Sequence, residues 1–306
     1  MTSPPSPARA AFLSAVGCYV LWGFMPLLFM GQAAIGFSSA EILSHRALWS
    51  VLIAGALVLF AGQSKQVRAV FRQPKTLAWL SLATLLIATN WGIYVWATTH
   101  HATLEASLGY YINPLLNMVV GLWLFRERID KWGWVAIGLA GVGVLFQALA
   151  LGRPPWISIA LALSFGAYGV IKKRIPVDAQ AGLFIECLLL LPFGLFFVIW
   201  LQAHGLGHGF ATWEGFGWAL LNGPMTVFPL ALFAWAARRM PLSTMGFVQF
   251  LAPTIQFMIG VATGEAFTPL RAVSFAFIWL GAGVFAAAAL LRARAAKRAM
   301  AVAEPV

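Results

Sequence analysis

The chain has 306 residues, 61% of them apolar and only 9% charged, with a mean hydropathy of +0.85. A soluble domain carries about 25% charged residues, so this composition is that of a membrane protein whose first partner is the lipid bilayer. A net charge of +11 and a pI near 10.4 would suit nucleic acid, but such a binder gathers its basic residues on one face; here they fall in short clusters between apolar runs, and no nucleic-acid partner is expected. Cys18 and Cys187 are the two cysteines, both inside apolar segments and without Cys-x-x-Cys or Cys/His spacing. That excludes a disulfide scaffold and a structural zinc site.

In chain order the apolar segments run roughly 12–30, 40–62, 77–97, 104–125, 132–149, 155–171, 181–202, 214–236, 243–263 and 270–291. A spanning helix takes about 20 apolar residues, so ten of them use about 200 positions and leave no sizeable soluble domain. The stretch Val51–Phe60 is apolar on every side, unlike the alternating ~10-residue strands of a membrane barrel. The first segment mimics a secretory signal, but it is longer than the usual apolar stretch of one and contains Trp22-Gly23 and Pro26, so it reads as an uncleaved first span.

Of the 20 Lys and Arg residues, 17 fall on one side if the spans alternate: Arg9, the groups around Arg68, Arg126, Lys172 and Arg238, and the C-terminal tail. Arg153 and Arg271 fall on the other, and Arg46 lies inside a span. Cytoplasmic loops hold the basic excess, which places both termini in the cytoplasm.

Sliding the chain by about 139 residues sets Trp96 on Trp235, Pro114 on Pro253, Asn117 opposite Gln256 and Gly121 on Gly260. One-residue shifts match Glu127 with Glu265 and Gly141-x-Gly143-Val144 with Gly281-x-Gly283-Val284, and Trp22-Gly23 corresponds to Tyr168-Gly169. The order is kept over most of both halves. We therefore expect two five-helix repeats, residues 1–150 and 151–306. Five is odd, so the second would be inverted, an architecture of transporters that hold substrate near the midplane.

The stretches Glu41–Ser50, His100–Leu115 and Leu242–Phe250, with Asn90-Trp91, the two prolines and Phe275–Trp279, closely resemble the RarD proteins of the EamA group in the drug/metabolite transporter superfamily. The resemblance covers nearly the whole chain. It implies a multi-pass permease of the bacterial inner membrane, with a small drug or metabolite as the transported partner, export as the expected direction and no cofactor. The family's name is tied to chloramphenicol sensitivity, and membership does not fix the natural substrate.

Polar groups inside spans are costly and normally face a cavity or a partner. Arg46 has no acidic residue one turn away on its own helix; it either serves a wet cavity or ion pair, or snorkels to the interface. Glu41 and His45 are four apart and share a face, while Ser38-x-x-Glu41 is also a capping-box pattern. Glu186 stands clear of the basic loops and is the first candidate for proton coupling, with Glu41 and His45 next; a structural pairing with a second helix is the alternative. Pro114 and Pro253 each break a span, freeing the carbonyls of Tyr110 and Gln249. With Asn113, Asn117 and Gln256 near the breaks, and Asn90, Trp91 and Tyr94 on span three, they point to a central substrate site. Glu105, Glu127 and Glu265 read as structural anchors at span ends. The Gly-x-Gly pairs of spans five and ten permit close helix approach, either within the molecule or in a homodimer.

Enzyme chemistry finds little footing. Gly-x-Ser-x-Gly, His-Glu-x-x-His and the phosphate loop are all missing from the sequence, so ATP-driven transport by this chain alone is excluded. His204 and His208 have a metal-like spacing, but the glycines around them mark a solvated loop. A non-transporting membrane scaffold or facilitator is the alternative to a permease.

Overall fold

The structure, a computed structural model, describes residues 7–125, 130–237, 239 and 248–303. Among these residues it is all helical. In chain order the helices are α1 (Pro7–Ala34), α2 (Ser39–Phe60), α3 (Ser64–Phe71), α4 (Pro74–Thr99), α5 (Thr103–Phe125), α6 (Lys131–Leu151), α7 (Trp156–Arg174), α8 (Ala179–Ala203), α9 (Trp213–Ala237), α10 (Leu251–Ala262) and α11 (Pro269–Ala303). Seven of the described helices (α1, α2, α4, α6, α8, α9 and α11) are long and apolar enough to cross a membrane, and α7 and α10 are shorter apolar helices. The chain is a multi-pass membrane protein. Large apolar side chains such as Leu52, Leu85, Phe193, Phe196 and Met258 lie exposed on the outside of the bundle, where lipid rather than water must meet them.

The helices start where the local sequence allows. Ser38 caps α2 by accepting the Glu41 backbone N–H at 3.1 Å, Asp130 caps α6 through Gly133, and prolines open α4 and α11, where a missing N–H costs nothing. The sequence reading misses α3. It is an eight-residue amphipathic helix that buries Val67 and Val70 on the bundle while Lys65 and Arg68 stay outside, too short and too polar to register as an apolar segment.

Polar ties sort the connections into two ends. At one end, Ser39 Oγ meets Thr99 Oγ1 at 3.0 Å, Glu41 holds the loop at His208, Glu105 holds Arg153, and Glu265 holds Thr103. At the other, Gln63 and Gln66 bond Asp178. Between the ends, α1 packs on α9 and α10, α7 on α4 and α5, α2 on α8 and α9, α8 on α4, α5 on α10, and α6 on α11.

Candidate functional site

Gly223 on α9 faces the backbone of α2: a Cβ there would stand 2.8 Å from the Trp49 carbonyl oxygen. The bare glycine lets the two helices close, and this brings Thr226, three residues on, against Arg46. Arg46 Nε donates to Thr226 Oγ1 at 2.9 Å. The guanidinium carbon lies 4.0 Å from the Trp91 ring centroid and 5.7 Å from that of Phe29. Nη1 has no hydrogen-bond partner, and Arg46 keeps only 4% of its surface exposed. The side chain is therefore held inside the bundle by a hydroxyl and by cation–π attraction, and does not snorkel to the interface. It forms no ion pair among the described residues.

Aromatic rings extend the site. Phe29 meets Tyr94 edge-on at 6.0 Å, Tyr94 meets Tyr110 at 5.4 Å, and Tyr110 meets Phe165 at 6.3 Å. Asn90 spends its amide on structure: Nδ2 donates to the Leu161 carbonyl and to Ser164 Oγ, both at 3.0 Å, while Oδ1 accepts the Tyr110 hydroxyl at 3.1 Å. It fixes Tyr110 rather than offering a free group. Gln256 on α10 donates to the Trp22 carbonyl at 3.2 Å and lies near the Tyr94 phenol. Its Oε1 has no partner; the same is true of the Tyr94 hydroxyl, of Asn222 Oδ1 and of both amide atoms of Asn113. Buried polar atoms are nearly always hydrogen-bonded.

The structure thus groups Arg46, Trp91, Tyr94, Tyr110 and Gln256, with Asn90 as their support. Asn113 is buried on the same helix as Tyr110. Gln249 is half-buried in a turn at 249–250, just before α10, and Pro253 lies in that helix's first turn. The side chains of Pro114 and Asn117, and the residues Arg126, Glu127, Arg128 and Leu242–Phe247, lie outside the described residues. Sequence reading missed Thr226, Asn222 and Phe29. The first two are four apart in an apolar segment, a spacing that would have marked one polar face of α9.

The proton-coupling candidates are placed as follows. Glu186, buried on α8, accepts Lys172 Nζ at 2.8 Å and the Tyr168 hydroxyl at 3.1 Å, so it is paired with α7, the alternative noted from sequence. Glu41 is buried at the loop-bearing end, where its carboxylate accepts the backbone N–H groups of His208 (2.7 Å) and Gly209 (3.0 Å) and contacts His208 Nδ1 at 3.2 Å. Half of the capping-box pattern forms, because the backbone of Glu41 meets Ser38 while its carboxylate reaches across to the loop. His45 is fully buried, with Nε2 3.8 Å from Glu41 and no hydrogen bond to either ring nitrogen. Among the described residues no group of three or more His, Cys, Asp or Glu could hold a metal.

Comparison with known proteins agrees with this architecture. The model of the EamA-like transporter family matches residues 9–149. The chain is 40% identical to an uncharacterized transporter of Vibrio cholerae serotype O1, over 98% of this chain and 99% of that protein. It is 38% identical to protein RarD of Streptomyces exfoliatus, over 97% of this chain and 94% of that one. A solved crystal structure aligns with a TM-score of 0.58 over 91% of this chain and 98% of its own, at 20% identity, a likeness of fold alone.

Proposed function

The chain belongs to the RarD proteins of the EamA-like transporter family and is a membrane transporter rather than an enzyme, and from that premise we propose that it is a secondary permease moving a small organic solute by alternating access. The observation that carries this reading is the group around Arg46: a buried cation, four aromatic rings and several unpartnered polar atoms, contributed by α1, α2, α4, α5, α9 and α10. A scaffold has no use for such costly groups; a carrier has a solute to pair them with.

The proposed frame is ten spans in two inverted repeats, residues 1–150 and 151–306, in a bacterial inner membrane with cytoplasmic termini. Supporting it, the principal pairings of α1 with α9 and α10 and of α2 with α9 become those of α7 with α4 and α5 and of α8 with α4 when α1, α2, α4, α5 and α6 are exchanged for α7, α8, α9, α10 and α11 in turn. The family match ends at residue 149, where the first repeat is expected to end. The basic residues around Arg68 and Lys172 belong to the end tied by Gln63, Gln66 and Asp178, the side that the basic excess assigns to the cytoplasm. Rocking of one repeat against the other would expose the Arg46 group to each side in turn. Net export is the direction proposed from the family resemblance. Proton coupling through Glu186, with Glu41 and His45 as the next pair, is the proposed source of energy.

Reconstitution tests the reading. Liposomes containing only this protein should show solute counterflow in a metabolite and drug panel, and Arg46→Lys should impair it at equal protein content. Full counterflow by Arg46→Gln would show that the central group does not bind solute. In wild type, accumulation should follow an imposed pH gradient; its absence would make the protein a facilitator. Labelling of Leu206→Cys but not Arg68→Cys in spheroplasts, in a background lacking Cys18 and Cys187, is the outcome expected for the proposed sidedness, and the reverse would overturn it.

A further inference from the structure

Four carboxylates are buried among the described residues, and every one is engaged away from Arg46. Glu41 holds the backbone at His208 and Gly209, Glu105 holds Arg153 and the Ile157 N–H, Glu186 holds Lys172, and Glu265 holds the Thr103 and Leu104 N–H groups. Arg46 is the exception among these buried charges. Its Nε is used by Thr226 and its flat face lies near Trp91, but Nη1 is buried and unpartnered. A guanidinium keeps its charge throughout the accessible pH range, and an uncompensated buried charge is costly. The group that would neutralise it is an anion.

Resting on the transport reading above, we propose that the solute is a small monocarboxylate whose carboxylate binds the terminal guanidinium nitrogens of Arg46. The planar fork suits a planar carboxylate. The rest of the solute is apolar or uncharged. Its body meets the rings of Phe29, Trp91, Tyr94 and Tyr110, and the neighbouring groups Gln256 Oε1 and the Tyr94 hydroxyl can hydrogen-bond an uncharged polar substituent. Among the described residues an ammonium or a second carboxylate finds no free opposite charge there, so dications, polyamines and dicarboxylates are disfavoured. The orphaned Arg46 nitrogen is what the carboxylate of the bound solute satisfies.

The test uses the full chain in lipid nanodiscs and in liposomes, with phenylacetate, isovalerate and pyruvate as probes, each beside its primary amide. Binding is read by calorimetry and by the unfolding temperature, and movement by counterflow. At least one carboxylate should bind, its amide at least tenfold more weakly. Arg46→Gln should weaken the carboxylate tenfold or more, weaken the amide distinctly less, and not lower the ligand-free unfolding temperature, with Arg46→Lys intermediate. Equal binding of acid and amide, undiminished acid binding by Arg46→Gln, or no binding by any acid overturns the proposal. Counterflow of amides without acids overturns the carboxylate alone and leaves the permease standing. Arg46-dependent binding of an acid without counterflow of any probe keeps the carboxylate site and overturns the permease.

Discussion

Arg46 and Glu186 occupy the same register on two packed helices, each eight positions beyond its helix's N-cap residue, Ser38 on α2 and Asp178 on α8. Both are almost wholly buried. Their surroundings differ in the one respect that matters for a charge: Glu186 has Lys172 at 2.8 Å and a tyrosine hydroxyl, whereas Arg46 has a threonine hydroxyl and an indole face. The fold neutralises one charge and leaves the other open. A closed pair holds two helices together or gates them, while an open charge is available to a solute. Stability and transport should therefore respond in opposite senses at the two positions.

The largest expected effect is on transport at Arg46. Arg46→Lys keeps the charge but loses the planar fork and the broad stacking on Trp91, so counterflow should fall at least tenfold at normal abundance. In Arg46→Gln, which does remove the charge, stability should hold or rise, because removing an unpaired buried charge leaves no partner stranded. A loss of transport accompanied by a large fall in unfolding temperature would place Arg46 with Glu186 as a structural charge and erase the contrast.

At Glu186 the order reverses. Glu186→Gln strands Lys172; breaking a fully buried pair costs about 3 to 5 kcal/mol, and since 20% of the Lys172 side chain is exposed, water screening should reduce this to about 2 kcal/mol. Chemical unfolding in detergent measures it, and the double replacement Glu186→Leu with Lys172→Met should recover most of the loss. In liposomes the single variant should exchange solute yet fail to accumulate it under a pH gradient. Retained accumulation would move the coupling to Glu41 and His45.

Much of this contrast was legible in the sequence, and the part that was not has a physical reason. Lipid demands long apolar runs, so helix bounds such as those of α2, α4 and α6 fell within a few residues of their expected segments. Arg46, Trp91 and Tyr94 stood out because polar and amphipathic groups inside such runs need a purpose. Thr226 and Asn222 did not, since small polar side chains can satisfy themselves on their own helix, as Asn222 Nδ2 does at the Ala219 carbonyl. Lys172 was counted as a loop charge although it reaches back to Glu186. The partner of Glu41 is 167 residues away, a distance no local pattern encodes.

A smaller effect is expected where Glu41 holds the loop. Glu41→Gln keeps one acceptor oxygen but loses the charge that strengthens its bonds to two backbone N–H groups, a change worth about 1 to 2 kcal/mol. The consequence should be local. Labelling of Leu206→Cys should quicken while labelling of Arg68→Cys does not change, and equal quickening at both would mean general loosening of the bundle.

The smallest effects test the periphery, where α6 and α11 pack together. Gly143 lies against Ile278 and the Ser274 carbonyl, so closely that an added Cβ would come within 2.7 Å of the Ile278 side chain and 2.9 Å of that carbonyl oxygen, and Ser274 Oγ already donates to the Gly143 carbonyl at 2.7 Å. Gly141, two positions earlier in the same Gly-x-Gly pair, meets nothing within 4 Å. Gly143→Leu must therefore push the two helices apart, at about 1 to 3 kcal/mol for overpacking, while sparing solute affinity, since neither helix contributes to the Arg46 group. Gly141→Leu should leave the monomer's unfolding temperature unchanged. If it instead lowers the apparent mass in light scattering, or destabilises the protein only at high protein-to-lipid ratio, the open glycine faces a second copy of the chain, and the homodimer left open by the sequence would be placed on this side of α6.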